Sequence, residues 1–250
     1  MSIGTQPLAT LICLTAGVLP AATSLDERIT QAAAQTYNFR VVLRDDTIIV
    51  QSRNGHVTLS GAVAGAQHRS LAEETVANLP GVQSVDNRLT LQGTAPAENS
   101  DPWLVMKVRT ALLFQRHVDP ANTQVAAADG VVTLSGTAAN LAQKELTEEV
   151  VAGVDGVRTV VNQIKVVAAS GPAAKSLAER VDDASITAQV KASLLFHRST
   201  RTLATRVKTD RGVVTIRGEA KNGAERELVS RLVNDLRGVK RVRNLMTIQS

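Results

Sequence analysis

The stretch Gly130-Val131-Val132-Thr133-Leu134-Ser135-Gly136 decides the fold, because it occurs three times in the chain. It reads Gly55-His56-Val57-Thr58-Leu59-Ser60-Gly61 earlier and Gly212-Val213-Val214-Thr215-Ile216-Arg217-Gly218 later. Each time a Phe precedes the first glycine by the same interval, and a Gly-Val pair and then an Asn follow it at fixed intervals. In chain order these markers are Phe39, Gly81 and Asn87, then Phe114, Gly156 and Asn162, then Phe196, Gly238 and Asn244. Self-similarity of this kind indicates three copies of one structural unit.

The copies occupy residues 25–91, 101–166 and 183–248, which we call modules 1, 2 and 3. The interval between successive copies is too long for solenoid repeats and indicates duplicated domains. The connecting segments 92–100 and 167–182 are rich in Gly, Pro, Ala and Ser, which predicts flexible linkers. A module of this length is close to the lower size limit for unaided folding, so we expect neighbouring modules to pack together.

Each module shows the same order of predicted elements. In module 3 an apolar stripe marks the first helix, formed by Ile186, Val190 and Leu194. Asp183 or Ser185 can cap this helix. A tight turn then joins two strands, and a second helix leads to a third strand that runs parallel to the second, since such crossovers are right-handed. The sequence therefore predicts an α+β fold of three tandem α-β-β-α-β modules, each a three-stranded mixed sheet with two helices on one face.

The triplicated pattern resembles the BON domain, a family named for bacterial osmotically inducible and nodulation proteins. The resemblance rests on the Gly-Val-Val-Thr-Leu-Ser-Gly stretch, the helix after it and the ending Gly-Val-x-x-Val-x-Asn-x-Leu/Ile/Met. It covers nearly all of residues 25–248. It implies a protein of the bacterial envelope, associated with osmotic or envelope stress, whose domains bind phospholipid surfaces and carry no catalytic residues.

Residues 1–24 differ from the rest of the chain. The stretch from Leu8 to Ala22 is uncharged and mostly apolar, and the first charge comes at Asp26. This pattern is typical of a secretory signal peptide cleaved after Ser24, although no Lys or Arg precedes the apolar run. A secretory signal predicts a periplasmic protein. If residues 1–24 are instead a disordered segment, the protein is expected in the cytoplasm.

Reactive side chains do not converge on a catalytic site in this sequence. No histidine has a His, Cys or carboxylate at metal-ligand spacing on a helix, and all are expected on the surface. The histidines are His56, His68, His117 and His197. The repeated Asn residues are predicted to be structural, because a polar side chain on an inner strand face must be hydrogen-bonded or displaced by a bulge. We therefore expect no enzyme activity, no metal and no cofactor.

The net charge of +5 comes from module 3. Modules 1 and 2 each carry slightly fewer Lys and Arg than Asp and Glu, whereas in module 3 the basic residues outnumber the acidic ones more than twofold. Strand alternation directs five basic residues of module 3 to the face of the sheet that the helices leave open. They are Arg206, Lys208, Arg217, Arg241 and Arg243. The matching side chains of the second module, which are neutral, are candidates for contact with a neighbouring module: Gln124, Ala126, Ser135, Thr159 and Val161.

The basic face predicts a docking site for an anionic partner, and anionic membrane lipids are the first candidate. Near an anionic bilayer each Lys or Arg contributes about 1 kcal/mol, so attachment would be reversible and sensitive to salt. Binding of unfolded envelope proteins by a chaperone-like activity is a second interpretation, which needs exposed apolar patches such as the open sheets of modules 1 and 2. Nucleic-acid binding is a third, although this face lacks the aromatic residues on which bases stack.

Overall fold

Three β-hairpins with the same turn organise the computed structural model, which describes residues 24–93, 97, 100–167, 181–201 and 203–249. In each turn both central residues have positive φ, a geometry that matches the twist of the paired strands. The turns are Asn54-Gly55 (53° and 79°), Asp129-Gly130 (50° and 75°) and Arg211-Gly212 (49° and 79°). The tight turn predicted between the first two strands is therefore present in all three modules.

The elements repeat in the same order in all three modules. Module 1 contains α1 (Leu25–Gln35), β1 (Thr47–Arg53), β2 (His56–Val63), α2 (Ala66–Ala77), β3 (Ser84–Asn87) and β4 (Thr90–Leu91). Module 2 contains α3 (Asp101–Phe114), β5 (Thr123–Ala128), β6 (Val131–Ala138), α4 (Leu141–Gly153), β7 (Thr159–Asn162) and β8 (Lys165–Val166). Module 3 contains α5 (Asp183–Phe196), β9 (Thr205–Asp210), β10 (Val213–Ala220), α6 (Gly223–Asn234), β11 (Arg241–Asn244) and β12 (Thr247–Ile248).

The predicted α+β fold and its mixed sheets are confirmed. In each module the second strand pairs antiparallel with the first and parallel with the third. A very short fourth strand, which the sequence did not predict, pairs parallel with the far end of the second strand. The second strands bury their apolar residues under the helices: Val57 and Leu59, Val132 and Leu134, and Val214 and Ile216. None of the helices in the described part of the chain covers their other face.

The repeated Asn explains why the third strand of each module is interrupted. The Asn162 side chain donates to the Lys144 carbonyl and to Glu148 Oε2 of α4, and its Oδ1 accepts the amide of Ile164. Asn87 and Asn244 make the corresponding bonds in the other modules. The predicted structural role is confirmed, because each Asn ties its strand to the second helix across the break.

An aspartate at the start of each first helix holds the hairpin turn. Asp26 accepts the amides of Asn54 and Gly55 at 2.8 and 3.0 Å. Asp183 does the same for Arg211 and Gly212 at 2.6 and 2.8 Å, which stabilises an arginine in the left-handed region. In module 2, Asp101 accepts the Gly130 amide at 3.4 Å. The cap predicted for α5 is therefore wrong, because Asp183 serves the turn instead.

The residue that caps α5 is Asp182, whose Oδ1 accepts the amide of Ser185 at 2.8 Å. At the N-terminus of module 1, Ser24 caps α1 in a reciprocal capping box with Glu27. Cleavage after Ser24 would remove that cap. The rest of the signal-like segment, and most of both linkers, lie outside the described residues.

Modules 2 and 3 meet through the ends of their helices. Just beyond α3, the Arg116 amide donates to the Asp235 carbonyl beyond α6, at 3.0 Å. The Arg237 amide donates in return to the Phe114 carbonyl, at 2.8 Å. The end of a first helix in one module thus pairs, antiparallel, with the end of a second helix in the other.

The same contact forms a second time with the modules exchanged. Beyond α5, the Arg198 amide donates to the Gly153 carbonyl at 3.0 Å, and the Asp155 amide donates to the Phe196 carbonyl at 2.8 Å. Each of these residues occupies the position of its counterpart in the first contact when the two modules are superimposed in sequence. Modules 2 and 3 are therefore related by an approximate two-fold axis, and the expected packing of these neighbours is observed.

Module 1 lacks the residues that make this contact. Pro80 occupies the position of Asp155 and has no amide hydrogen to donate. Val41 occupies the position of Arg116, and the chain there forms a π-helical turn, Asn38–Val42. Module 1 therefore joins the other two modules by a different route.

That route is a buried polar contact between module 1 and α5. Asn38 is fully buried, and its amide donates to Ser185 Oγ at 3.1 Å. Its side chain donates to Thr75 Oγ1 at 2.8 Å and accepts from Gln189 Nε2 at 2.7 Å. Polar groups buried in this way need their partners, so these bonds fix the position of α5 against module 1.

Candidate anion-binding face

The candidate site is the helix-free side of the module 3 sheet. We call it the basic face and define it by Arg206, Lys208, Arg217, Arg241 and Arg243. Arg206 lies directly opposite Arg217 in the antiparallel pair β9–β10, and Arg241 lies beside Val213 in the parallel pair β10–β11. Lys208 and Arg243 flank Thr215 from the two sides. Cross-strand partners share a face, so these five side chains form one surface.

The five side chains of the basic face are exposed. Within the residues that the structure describes, none of them takes part in an ion pair or a side-chain hydrogen bond. Two acidic residues share the face, Asp210 and Glu219, and Asp210 lies 3.7 Å from the Arg211 guanidinium. With five cations against two carboxylates, the surface keeps an excess of positive charge.

The same strand positions carry no basic residue in the other modules. In module 1 they are Ile49, Gln51, Ser60, Ser84 and Asp86. In module 2, Gln124, Ala126, Thr159 and Val161 are exposed and Ser135 is half-buried. The expectation that these five side chains contact a neighbouring module is wrong. The modules meet through their helix ends instead, and the open sheet face of module 2 stays accessible.

Much of the remaining positive charge of module 3 serves the contacts between modules. Lys191, Arg198, Arg201 and Arg237 all bind groups of module 1 or module 2. The Arg201 guanidinium, for example, lies 2.8 Å from the Asp155 carboxylate. Charge counting on the sequence could not separate these residues from the basic face, because both sets add to the same total.

Two of the histidines, His68 and His197, are partly buried, which corrects the expectation that all four lie on the surface. His68 Nδ1 lies 2.6 Å from Asp46 Oδ2, and the His68 side chain is only 15% exposed. His197 lies in the contact between modules 2 and 3, where burial lowers its pKa and the charge of Arg198 lowers that pKa further. In the part of the chain that the structure describes, no three His, Cys, Asp or Glu side chains are grouped to hold a metal ion.

The arrangement of modules agrees with the comparison to known families. The model of the BON domain matches residues 25–93, 100–168 and 182–250, which together make up most of the chain. The chain belongs to the BON domain family, as the resemblance predicted. Among the described helices, none is both long enough and apolar enough to cross a membrane.

One curated relative is osmotically-inducible protein Y of Escherichia coli (strain K12). It is 30% identical to this chain over 127 residues, and the match covers 49% of this chain and 63% of that protein. The chain thus matches somewhat less than two thirds of the relative's length.

Two solved structures show a weaker likeness. The C-terminal domain of CdsD, a structural protein of the type III secretion system of Chlamydia trachomatis, is 16% identical with a TM-score of 0.23. The match covers 89% of this chain and 96% of that domain. The periplasmic domain of the inner-membrane protein PrgH from S. typhimurium is 13% identical with a TM-score of 0.18. That match covers 82% of this chain and 99% of the PrgH domain. Such scores carry no inference about this chain.

Proposed function

We propose that this chain is a non-catalytic, periplasmic envelope protein that attaches through the basic face of module 3 to anionic phospholipid surfaces during osmotic or envelope stress. The observation that carries the proposal is the set of five exposed cations on one sheet face, at positions that are neutral or acidic in modules 1 and 2. Membership of the BON domain family and the relative named for osmotic induction support the stress-related part.

Electrostatics favours an anionic surface as the partner. Each Lys or Arg held near such a bilayer contributes about 1 kcal/mol, and the two acidic residues subtract from that total. Arg206 and Arg217 lie directly opposite each other, an arrangement that destabilises a sheet while the charges are uncompensated. A layer of lipid phosphates would supply the missing counter-charge for both.

The composition of the face favours a lipid over a nucleic acid. Proteins that bind single-stranded nucleic acids stack bases on aromatic side chains. The strands β9, β10 and β11, all within the described residues, contain no aromatic residue. These described strands therefore offer no Trp or Phe that could insert into a bilayer, and attachment would be mainly electrostatic and reversible.

Vesicle flotation tests the proposal directly. The full chain is mixed with vesicles of phosphatidylcholine alone or with phosphatidylglycerol added, at low and at high salt. Binding is expected only to the anionic vesicles and should be lost at high salt, because exposed charges are screened over about 10 Å at 0.1 M ionic strength. Changing all five residues of the basic face to Gln should abolish it.

A matched control separates the basic face from general positive charge. The chain also has exposed basic residues away from this face, and five of them can be changed to Gln together: Arg109, Lys221, Arg226, Arg231 and Lys240. This variant has the same net charge as the first, and it should still float with anionic vesicles. Equal loss of binding in both variants, or binding that ignores lipid charge, would contradict the proposal.

A further inference from the structure

A cavity of about 730 Å³ lies where the three modules meet. Its wall is formed by α2 of module 1, α3 of module 2 and α5 of module 3, so the site exists only in the assembled chain. The volume falls within the range of about 300–1,000 Å³ that is usual for ligand sites. The cavity lies apart from the basic face, and the proposed lipid attachment does not use it.

The wall of this cavity is largely apolar and adaptable. Trp103, Met106 and Leu195 line it together with Leu91. Leu195 is 54% exposed and Leu91 is 37% exposed, which is unusual for large apolar side chains beside a concave surface. Methionine adapts its flexible side chain to differently shaped partners, and tryptophan offers a large rigid contact. This wall suits an apolar ligand without a fixed shape.

One buried polar group in the cavity wall has no partner. Gln67 lines the cavity and is 7% exposed, and its Oε1 accepts no hydrogen bond among the described residues. Gly65 beside it has no side chain, and a Cβ there would lie 3.2 Å from this oxygen and 2.2 Å from Met106 Cε. The oxygen is therefore a buried acceptor at the wall, and a ligand that donates an N–H or O–H hydrogen would satisfy it.

The charged residues of the cavity are mostly cationic. Lys107, Lys191 and Arg201 face two carboxylates, those of Glu74 and Asp155. Asp155 serves two of the cations, since Arg201 lies 2.8 Å and Lys107 3.5 Å from its Oδ2. Lys191 is paired with the Glu74 carboxylate. Because two cations share Asp155, the lining keeps an excess of one positive charge, which favours a ligand with a carboxylate.

We propose that this cavity binds a short, extended, apolar polypeptide segment that ends in or contains a carboxylate. The side chains of the segment would contact Trp103, Met106 and Leu195, a backbone N–H would donate to Gln67 Oε1, and its carboxylate would lie among the cations. An aliphatic acid meets the first and third conditions but has no hydrogen to donate when it is ionised. The unpartnered acceptor therefore favours a peptide over an acyl chain.

Trp103 is the only tryptophan of the chain, so tryptophan fluorescence reports on the surroundings of this one side chain. Trp103 also borders a second cavity, beside Asp129 and Arg158, so the variants below are needed to assign a shift to the proposed site. The full chain is titrated with the acetylated tetrapeptide Leu-Val-Leu-Glu, with a polar counterpart, Ser-Gln-Ser-Glu, and with sodium laurate. A saturable emission shift is expected with the apolar peptide and not with the polar one. N-methylation of the peptide amides should weaken binding about fivefold, the value of one hydrogen bond.

Three variants locate the binding. Leu195→Glu should weaken binding about tenfold, because it removes an apolar contact and adds a negative charge. Leu141→Glu is the matched control, since Leu141 is 58% exposed and lies on α4 outside the cavity lining. In Gln67→Leu the plain and N-methylated peptides should bind equally well.

Several results would overturn the proposal. They are the absence of any shift with the apolar peptide, an equal loss of affinity in both leucine variants, and no effect of N-methylation. Tighter binding of laurate than of the peptide would assign the cavity to acyl chains instead. None of these results bears on vesicle flotation, so this inference and the proposed function fail independently.

Discussion

Arg116 and Arg198 are the same residue of two successive modules, and each donates its guanidinium to backbone carbonyls of the other module. Arg116 bonds to the carbonyls of Leu236 and Val239, and Arg198 to those of Ala152 and Val157. Carbonyls at a helix end lack partners within the helix, and a cation near them is favourable. The two arginines therefore make equivalent bonds in the two halves of the contact between modules 2 and 3.

Removing either arginine should therefore weaken the same contact. Arg116→Ala and Arg198→Ala are each expected to lower the free energy of unfolding by about 1 kcal/mol, as for hydrogen bonds at a partly exposed site. Urea denaturation measures this. Arg109→Ala, on the exposed side of α3, is the control and should be neutral. An effect of Arg109→Ala as large as the other two would mean that the loss is not specific to the contact.

The turn held by Asp26 should make module 1 sensitive to acid. Hydrogen bonds from the amide of Gly55, the hydroxyl of Ser52 and the amide of Asn54 lower the pKa of Asp26, in that order of importance. Because the pKa is lower in the folded state, the stabilisation is complete above the unfolded pKa of about 3.9 and is lost as the pH falls below it.

Asp26→Asn tests this prediction through the pH dependence of the free energy of unfolding. Between about pH 4 and pH 2 the variant should lose less stability than the parent chain, since it has no carboxylate to protonate. Identical slopes in this range would show that the turn does not depend on the charge of Asp26. Asp45→Asn is the control, because Asp45 is an exposed residue outside the turn.

The strand asparagines should differ in their tolerance of a negative charge. Asn162 donates to the Glu148 carboxylate at 3.0 Å, whereas Asn244 donates to the Ser230 hydroxyl at 2.8 Å. Asn162→Asp would bring two carboxylates together, while in Asn244→Asp the serine can donate to the new carboxylate. Asn162→Asp is therefore expected to be the more destabilising by about 1 kcal/mol at pH 7.

Thermal denaturation of Asn162→Asp and Asn244→Asp, at about pH 7 and at about pH 3, measures this difference in stability. The difference between the two variants should shrink at about pH 3, where the carboxylates become protonated. A difference that is unchanged at low pH would show that shape, and not charge, distinguishes the two sites.

His197 should make the contact between modules 2 and 3 weaker in mild acid. Its folded pKa is lowered by burial and by Arg198, so its stabilising effect is complete above about pH 6.5 and is lost as the pH falls through the folded value. The counterpart of His197 in module 2 is Gln115, which does not titrate. His197→Gln should therefore flatten the pH dependence of unfolding between about pH 7 and pH 5.

The exposed His117 provides the control for this prediction. His117→Gln should leave the pH dependence of unfolding as it is in the parent chain. If both substitutions flatten the curve equally, the effect does not come from the contact between the modules.

The aspartates that hold the hairpin turns also repeat at a fixed position in the sequence, as the Phe, Gly and Asn residues do. Asp26, Asp101 and Asp183 precede the first glycine of the repeated stretch by the same interval in all three modules. Aligning the three modules on the other repeated residues therefore shows the repeated Asp as well. A helix cap is the usual role for Asp at such a place, and only the hydrogen bonds show that it holds the turn.

The sequence alone determined the number of modules, the order of their elements, the parallel pairing and the five residues of the basic face. These features depend on local periodicity and on turn chemistry, which each module repeats within its own length. Only the tertiary structure decided how the modules meet, which of the cations of module 3 serve that contact, and where the shared cavity lies. In the contacts between modules 2 and 3, backbone amides and arginine side chains donate mostly to backbone carbonyls far apart in the chain, and every residue offers such a carbonyl. The sequence pattern therefore carries almost no record of which residues accept these bonds.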